Sequence, residues 1–197
     1  MGKLIVEQII SADGYAADRD GGIDFFIDAR SVNAADQEQL RLLQNVEAIV
    51  LGRTTYRMFA DYWPDADPTK EPVATPLNTI PKYVVSNTLD TAPWGDRDDA
   101  VSVLRGDAVA SVRALRQRVT GDLIVWGSLT LADALLRAGE VDVLRLRMLP
   151  VLIGAGRSFA PADLGQRALA LSSVRSYPQE LVVLEYRCQR ACDRPLA

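Results

Sequence analysis

The chain has 197 residues, 48% of them hydrophobic and 24% charged, an ordinary globular composition that can bury a core without disulfide or metal staples. Its 22 basic and 26 acidic side chains leave a formal net charge of −4, which speaks against nucleic acid as a partner, because phosphate backbones call for a broad basic surface. There is no histidine, so Ser-His-Asp and Cys-His catalysis and histidine-based zinc sites are excluded. The two cysteines, Cys188 and Cys192, make neither a structural zinc site nor a disulfide framework, and no metal is expected.

In chain order, MGKLIVEQII carries a short apolar run broken by Glu7 and Gln8. It reads as a strand over residues 3–10, not as a targeting peptide. No run approaches the ~20 apolar residues that span a bilayer, so a cytoplasmic protein with no membrane partner is expected. Residues 11–22 form a turn-rich loop. A helix is expected over 34–45, with Asn33 as its N-cap and Leu40 and Leu43 on its apolar stripe. Residues 47–51 read as a buried strand and 54–62 as a short helix. Residues 63–81 hold five prolines and read as an irregular excursion. Strands follow at 82–86 and 101–104. A helix over 107–119 carries Val109, Val112, Leu115 and Val119 as its stripe, and leaves Arg113, Arg116 and Arg118 as a solvated face.

Residues 122–126 form a buried strand, and 129–138 a helix with Leu131, Ala132, Leu135 and Leu136 on one face. From 141 onward the period is two, with Leu144, Leu146 and Met148 alternating with Arg145 and Arg147. The face of Val143, Arg145, Arg147 and Leu149 reads as an anion site or a contact between two copies of the chain. Residues 168–177 and 180–188 suggest a hairpin turning near Pro178. The expectation is a single α/β domain over 1–197, with a mostly parallel central sheet, flanking helices and a C-terminal antiparallel hairpin.

Three strand ends carry candidate chemistry. Gly52-Arg53-Thr54-Thr55 follows a strand and opens a helix, whose free N–H groups and positive dipole end attract phosphate. Arg53 adds a fork suited to phosphate oxygens and the threonines add hydroxyls. A capping glycine followed by a threonine cap would present the same residues. Ser86-Asn87-Thr88 leaves a buried strand and fits either a sugar or phosphate edge or a plain turn. Gly127-Ser128-Leu129 again places a helix start at a strand end, where open α/β sheets bind ligands. Asp24 is the candidate acid, on the expectation that Phe25 and Phe26 bury it and raise its pKa; a helix N-cap is the other reading. Asp13 fits a turn with Gly14. Trp63 fits either a cleft wall or packing beneath the proline-rich segment.

The order of these motifs resembles the dihydrofolate reductase-like superfamily, in the branch that includes the C-terminal reductase domain of bacterial riboflavin biosynthesis. ISADGYAADRDGGIDFF (10–26) resembles its opening strand and loop, GRTTYRMF (52–59) its G-R-x-T-[YW] segment, and PKYVVSNTL (81–89) its next strand. VWGSLTLADALLRAGEVD (125–142) and MLPVLIGAGRSFAP (148–161) resemble its glycine-led helix and its late turn. Where riboflavin-pathway reductases commonly carry E-G-G, this chain has Trp126-Gly127-Ser128.

The resemblance implies NADPH as cofactor. Arg53 and Ser86 would face the 2′-phosphate, and Thr54, Thr55, Gly127, Ser128 and Leu129 the pyrophosphate, with Gly52 and Asn87 beside them. It implies a small heterocyclic or imine-type substrate held between loop 11–26 and the 153–156 turn, near Asp13, Phe25, Trp63, Ile153 and Gly154. Candidates are 5-amino-6-(5-phosphoribosylamino)uracil and pterin- or flavin-like compounds. A homodimer built from residues 141–188 is also implied. The alternative is a nucleotide-binding regulatory or interaction protein of the same fold without catalysis.

Overall fold

The computed structural model describes residues 2–28, 35–98, 100–178 and 181–188. Ten strands and six α-helices occur among them: β1 (Leu4–Ser11), β2 (Tyr15–Ala17), α1 (Asp24–Asp28), α2 (Asp36–Leu43), β3 (Val46–Gly52), α3 (Arg53–Tyr62), α4 (Ala74–Thr79), β4 (Lys82–Val85), β5 (Val101–Leu104), α5 (Ala108–Arg118), β6 (Asp122–Trp126), α6 (Leu129–Arg137), β7 (Val143–Leu149), β8 (Arg157–Ser158), β9 (Leu169–Ser176) and β10 (Val182–Cys188). Eight strands form one sheet in the order β5-β4-β3-β6-β1-β7-β10-β9. All pairings from β5 to β7 are parallel, and β7-β10 and β10-β9 are antiparallel. This is the expected mostly parallel α/β sheet with its C-terminal hairpin.

The central strands are apolar on both faces because helices cover both. Successive residues of each strand alternate between the two: Ile5, Ile49, Leu51 and Ile124 enter one core cluster, and Leu4, Val50, Leu123 and Val125 enter the other. Asp107 caps α5, its carboxylate accepting from the Ala110 N–H at 2.8 Å. The expected Asn33 cap lies outside the described residues, as does Cys192. No helix among the described residues is long and apolar enough to cross a membrane.

Three expectations need correction. The proline-rich segment contains α4 and a short 3-10 turn at Trp63–Asp65. Pro76 sits in the first turn of α4, where its missing N–H would have had no helical partner. Arg116 is not solvated but 6% exposed, its guanidinium donating to the Gly2 carbonyl at 3.0 and 3.1 Å and pairing with Asp142. The Arg145 face of β7 is likewise interior. Arg145 is 1% exposed, pairs with Glu7 of β1, and donates to Gln39 Oε1 of α2 at 2.6 Å. Because α2 covers that face, it is not available to a second copy of the chain.

Candidate functional site

Neighbouring strands β3 and β6 send their helices to opposite faces of the sheet. Tyr56 of α3 packs with Ile49, Leu51 and Trp126, whereas Leu131, Ala132 and Leu135 of α6 pack with Val50 and Val125. This parting leaves a crevice at the C-terminal strand ends, the place where open α/β sheets bind ligands. Neither helix has a side-chain N-cap, so both present first-turn N–H groups and positive dipole ends to the crevice. The two helix starts interlock. Gly52 N–H donates to Ser128 Oγ at 2.8 Å, Ser128 N–H donates to Thr55 Oγ1 at 2.9 Å, and Ser128 Oγ donates to the Trp126 carbonyl at 2.8 Å.

Gly127 (φ 51°) and Ser128 (φ 52°) are consecutive left-handed residues, and Ser128 is the one non-glycine with positive φ among the described residues. Such strain in a non-glycine residue persists where the surroundings enforce it, often at a ligand clamp. On the neighbouring strand end, Arg53 NH1 donates to Thr88 Oγ1 at 2.8 Å. Ser86 Oγ accepts from the N–H groups of Thr88 and Leu89, each at 3.2 Å. Arg53 is exposed. The expected residues Gly52, Arg53, Thr55, Ser86, Gly127 and Ser128 therefore lie around one crevice, with Thr54 and Leu129 in the first turns of its two helices. Asn87 points elsewhere: its amide is clasped to Gly106, donating at 3.3 Å and accepting at 2.6 Å.

Over the adjoining strand ends, β2 and β8 pair as a small antiparallel sheet. Asp13 accepts from the N–H groups of Gly154 at 2.8 Å and Ile153 at 3.3 Å. The Ser11 hydroxyl and these N–H groups hold its carboxyl below the usual aspartate range. The contact is tight, since a Cβ at Gly156 would stand 2.0 Å from the Ala17 carbonyl oxygen. Arg157 ties this flap to α6, donating to Asp133 at 2.6 Å. The structure thus joins Asp13, Ile153 and Gly154.

Phe25 and Trp63 fall in different core clusters. Phe25 stacks edge-on against Phe26 at 4.5 Å. Trp63 packs against the cluster that holds Val73 and Leu77 of the proline-rich segment, meets Tyr62 and Phe59 edge-on, and its carbonyl accepts from Asn78. Asp24 opens α1 and is exposed, so the expected burial is not found.

Asp36, at the start of α2, is the half-buried carboxylate that the sequence did not single out. Burial raises its pKa, Arg147 opposes the shift and Glu71 adds to it. The burial that raises it comes from tertiary packing, so no local pattern betrays it. Thr88, read with Ser86 and Asn87 as one strand end, was given no role of its own, yet it is the residue that accepts from Arg53. Glu7 and Gln8 were the readable signal left unused: two polar residues inside an apolar strand.

The family model described as the RibD C-terminal domain matches residues 2–183. The uncharacterized protein YyaP of Bacillus subtilis (strain 168) is 23% identical over 187 residues, covering 93% of this chain and 94% of YyaP. A Shewanella sp. PV-4 protein assigned to riboflavin biosynthesis superposes with a TM-score of 0.77 at 24% identity, covering 95% of this chain and 99% of that one. Dihydrofolate reductase from Enterococcus faecalis, complexed with NADP(H), superposes with a TM-score of 0.57 at 15% identity, covering 95% and 97%. At these identities the structural likeness is one of fold, the dihydrofolate reductase-like α/β fold. With the family model matched over nearly its whole length, the chain belongs to the RibD C-terminal domain family.

Proposed function

We propose that the chain, as one domain over 1–197, is a cytoplasmic NADPH-dependent oxidoreductase that reduces a small heterocyclic or imine-type substrate. The convergence of two uncapped helix starts on one crevice, with Arg53 at its rim, carries this reading. The donor set fits a dinucleotide. Arg53, Ser86 and Thr88 supply a guanidinium and two hydroxyls to a 2′-phosphate, a charge NADH would not require. The first turns of α3 and α6, with Thr54, Thr55, Gly127, Ser128 and Leu129, meet the pyrophosphate. Bound there, the cofactor supplies the hydride.

The chain's own part is orientation, exclusion of water by the β2–β8 flap, and a proton. Asp24, the carboxylate expected to hold that proton, is exposed, and Asp36, half-buried and facing the charge of Arg147, is a second candidate for the role. Since the Arg145 face is interior, a homodimer would use β9, the edge strand whose Leu169, Leu171 and Val174 are 41%, 55% and 55% exposed.

Fluorescence titration should show NADPH binding tighter than NADH; equal affinities would remove Arg53 from its role. NADPH oxidation across pterins, flavins and aminopyrimidines then reads catalysis. Binding with no turnover on any of them would favour the non-catalytic nucleotide-binding alternative.

A further inference from the structure

β1 is a central strand, paired on both edges and covered on both faces, yet Glu7 and Gln8 in its middle are each 2% exposed. Two polar side chains buried there cost free energy unless bonded. A break in an otherwise apolar pattern marks a position under another demand. Both residues grip the end of β6. Glu7 Oε1 accepts from the Trp126 indole N–H at 2.8 Å, and Gln8 Nε2 donates to the Gly127 carbonyl at 2.5 Å. The Gly127 N–H also donates to the Glu7 carbonyl at 3.2 Å.

The Gly127 carbonyl belongs to the peptide joining the two left-handed residues. In a trans peptide the carbonyl and the following N–H point in opposite directions. With the Gly127 carbonyl pinned toward β1, the Ser128 N–H must point away from β1. It does so, meeting Thr55 Oγ1 across the crevice. The reversed peptide would place a carbonyl oxygen where an anion belongs.

We propose that Gln8 is a positioning residue for the pyrophosphate end of the crevice: by holding the Gly127 carbonyl it sets the aim of the Ser128 N–H and of the α6 N-terminus. This rests on the cofactor reading above. The test compares NADPH with adenosine 2′-monophosphate, which carries the phosphate for Arg53 and lacks the pyrophosphate.

Gln8→Met keeps the side chain's approximate bulk and removes the donor. It should weaken NADPH by about tenfold or more, with adenosine 2′-monophosphate unchanged. Gln8→Asn retains an amide one methylene short of its target and provides a milder second variant with the same expected differential. Unchanged NADPH affinity in both folded variants overturns the inference. So does parallel loss of both ligands, which would mark Gln8 as a general support of the fold. Failure of the wild-type protein to bind either ligand defeats the cofactor reading itself, an outcome distinct from these.

Discussion

Gly127 offers a graded perturbation of the crevice. At φ 51° any side chain is strained, and a Cβ there would stand 3.4 Å from Thr55 Oγ1 and 3.5 Å from Thr55 Cγ2. Alanine just fits, and its cost is the left-handed conformation, about 1–2 kcal/mol. The γ-carbons of valine reach ~1.5 Å further. They would displace the Thr55 hydroxyl from the Ser128 N–H and fill the space between the helix starts. The expected stability loss is about 2–3 kcal/mol, strain plus one hydrogen bond.

NADPH affinity should fall by about a hundredfold or more in Gly127→Val, against a few-fold in Gly127→Ala. Affinities would be titrated by fluorescence at a temperature where circular dichroism shows each variant folded. If valine binds NADPH within twofold of wild type, the pyrophosphate does not approach here. Equal losses for alanine and valine would place the effect in backbone strain and not in space.

Arg53→Ala should cost about 1.5–3 kcal/mol of NADPH binding and little of NADH binding, as for a charge-assisted bond to the 2′-phosphate; equal losses for both cofactors would refute that contact. Burial raises the Asp36 pKa, so the stability its protonated form contributes is present below the unfolded pKa and lost as pH rises through the folded one. Asp36→Asn should therefore melt higher than wild type at pH 7, with the gap closing toward pH 3; thermal melts with no gap at pH 7 would contradict this. Lys82, 3% exposed, has its pKa pushed down to about 8 from 10.5, first by burial and then by Arg97. The unfolded chain holds that proton longer, so stability should rise by up to about 3 kcal/mol between these two pKa values, the burial cost being in full force below the lower one. Lys82→Met loses the bond to the Ile80 carbonyl and the contact with Trp94, and should still be more stable near pH 7 by about 1 kcal/mol, without the alkaline rise; urea melts at pH 7 and 10 check both.

The sheet was legible wherever one period ran long enough. β6 spans the expected residues 122–126 and ends where its apolar run does, and the Asp107 cap stands at the residue before α5. β2 and β8, three and two residues long, are too short to show alternation. α4 was hidden by Pro76, because a proline reads as a breaker unless the helix start is already known. The arginines misled for a different reason. Arg116 and Arg145 are long enough to be buried by partners distant in sequence, Asp142 and Glu7, and composition cannot reveal that pairing. At the strand ends Gly127 was readable as a turn glycine, and its φ of 51° is a conformation that favours glycine. The contact of Asn87 with Gly106 was not legible because it is a property of the turn after the next strand.

The level at which polar burial begins coincides with the level at which β6 ends. Below it the facing pairs are apolar: Leu4 with Leu123, Ile5 with Ile124 and Val143, Val6 with Val125 and Leu144. At the next step Glu7 pairs with Trp126 on one side and Arg145 on the other, and above it lie buried Gln8, Ser11 and Arg147. Stability alone does not account for this layer, because a buried ion pair is often matched or bettered by apolar residues of similar volume. Here the cost is not fully offset either, since Gln39 Nε2 and Glu38 Oε2 are buried without a hydrogen-bond partner among the described residues. What the layer does is fix the strand end from which Trp126, Gly127 and Ser128 emerge. The apolar half of β1 holds the sheet together, and the half that begins at Glu7 holds the geometry of the crevice.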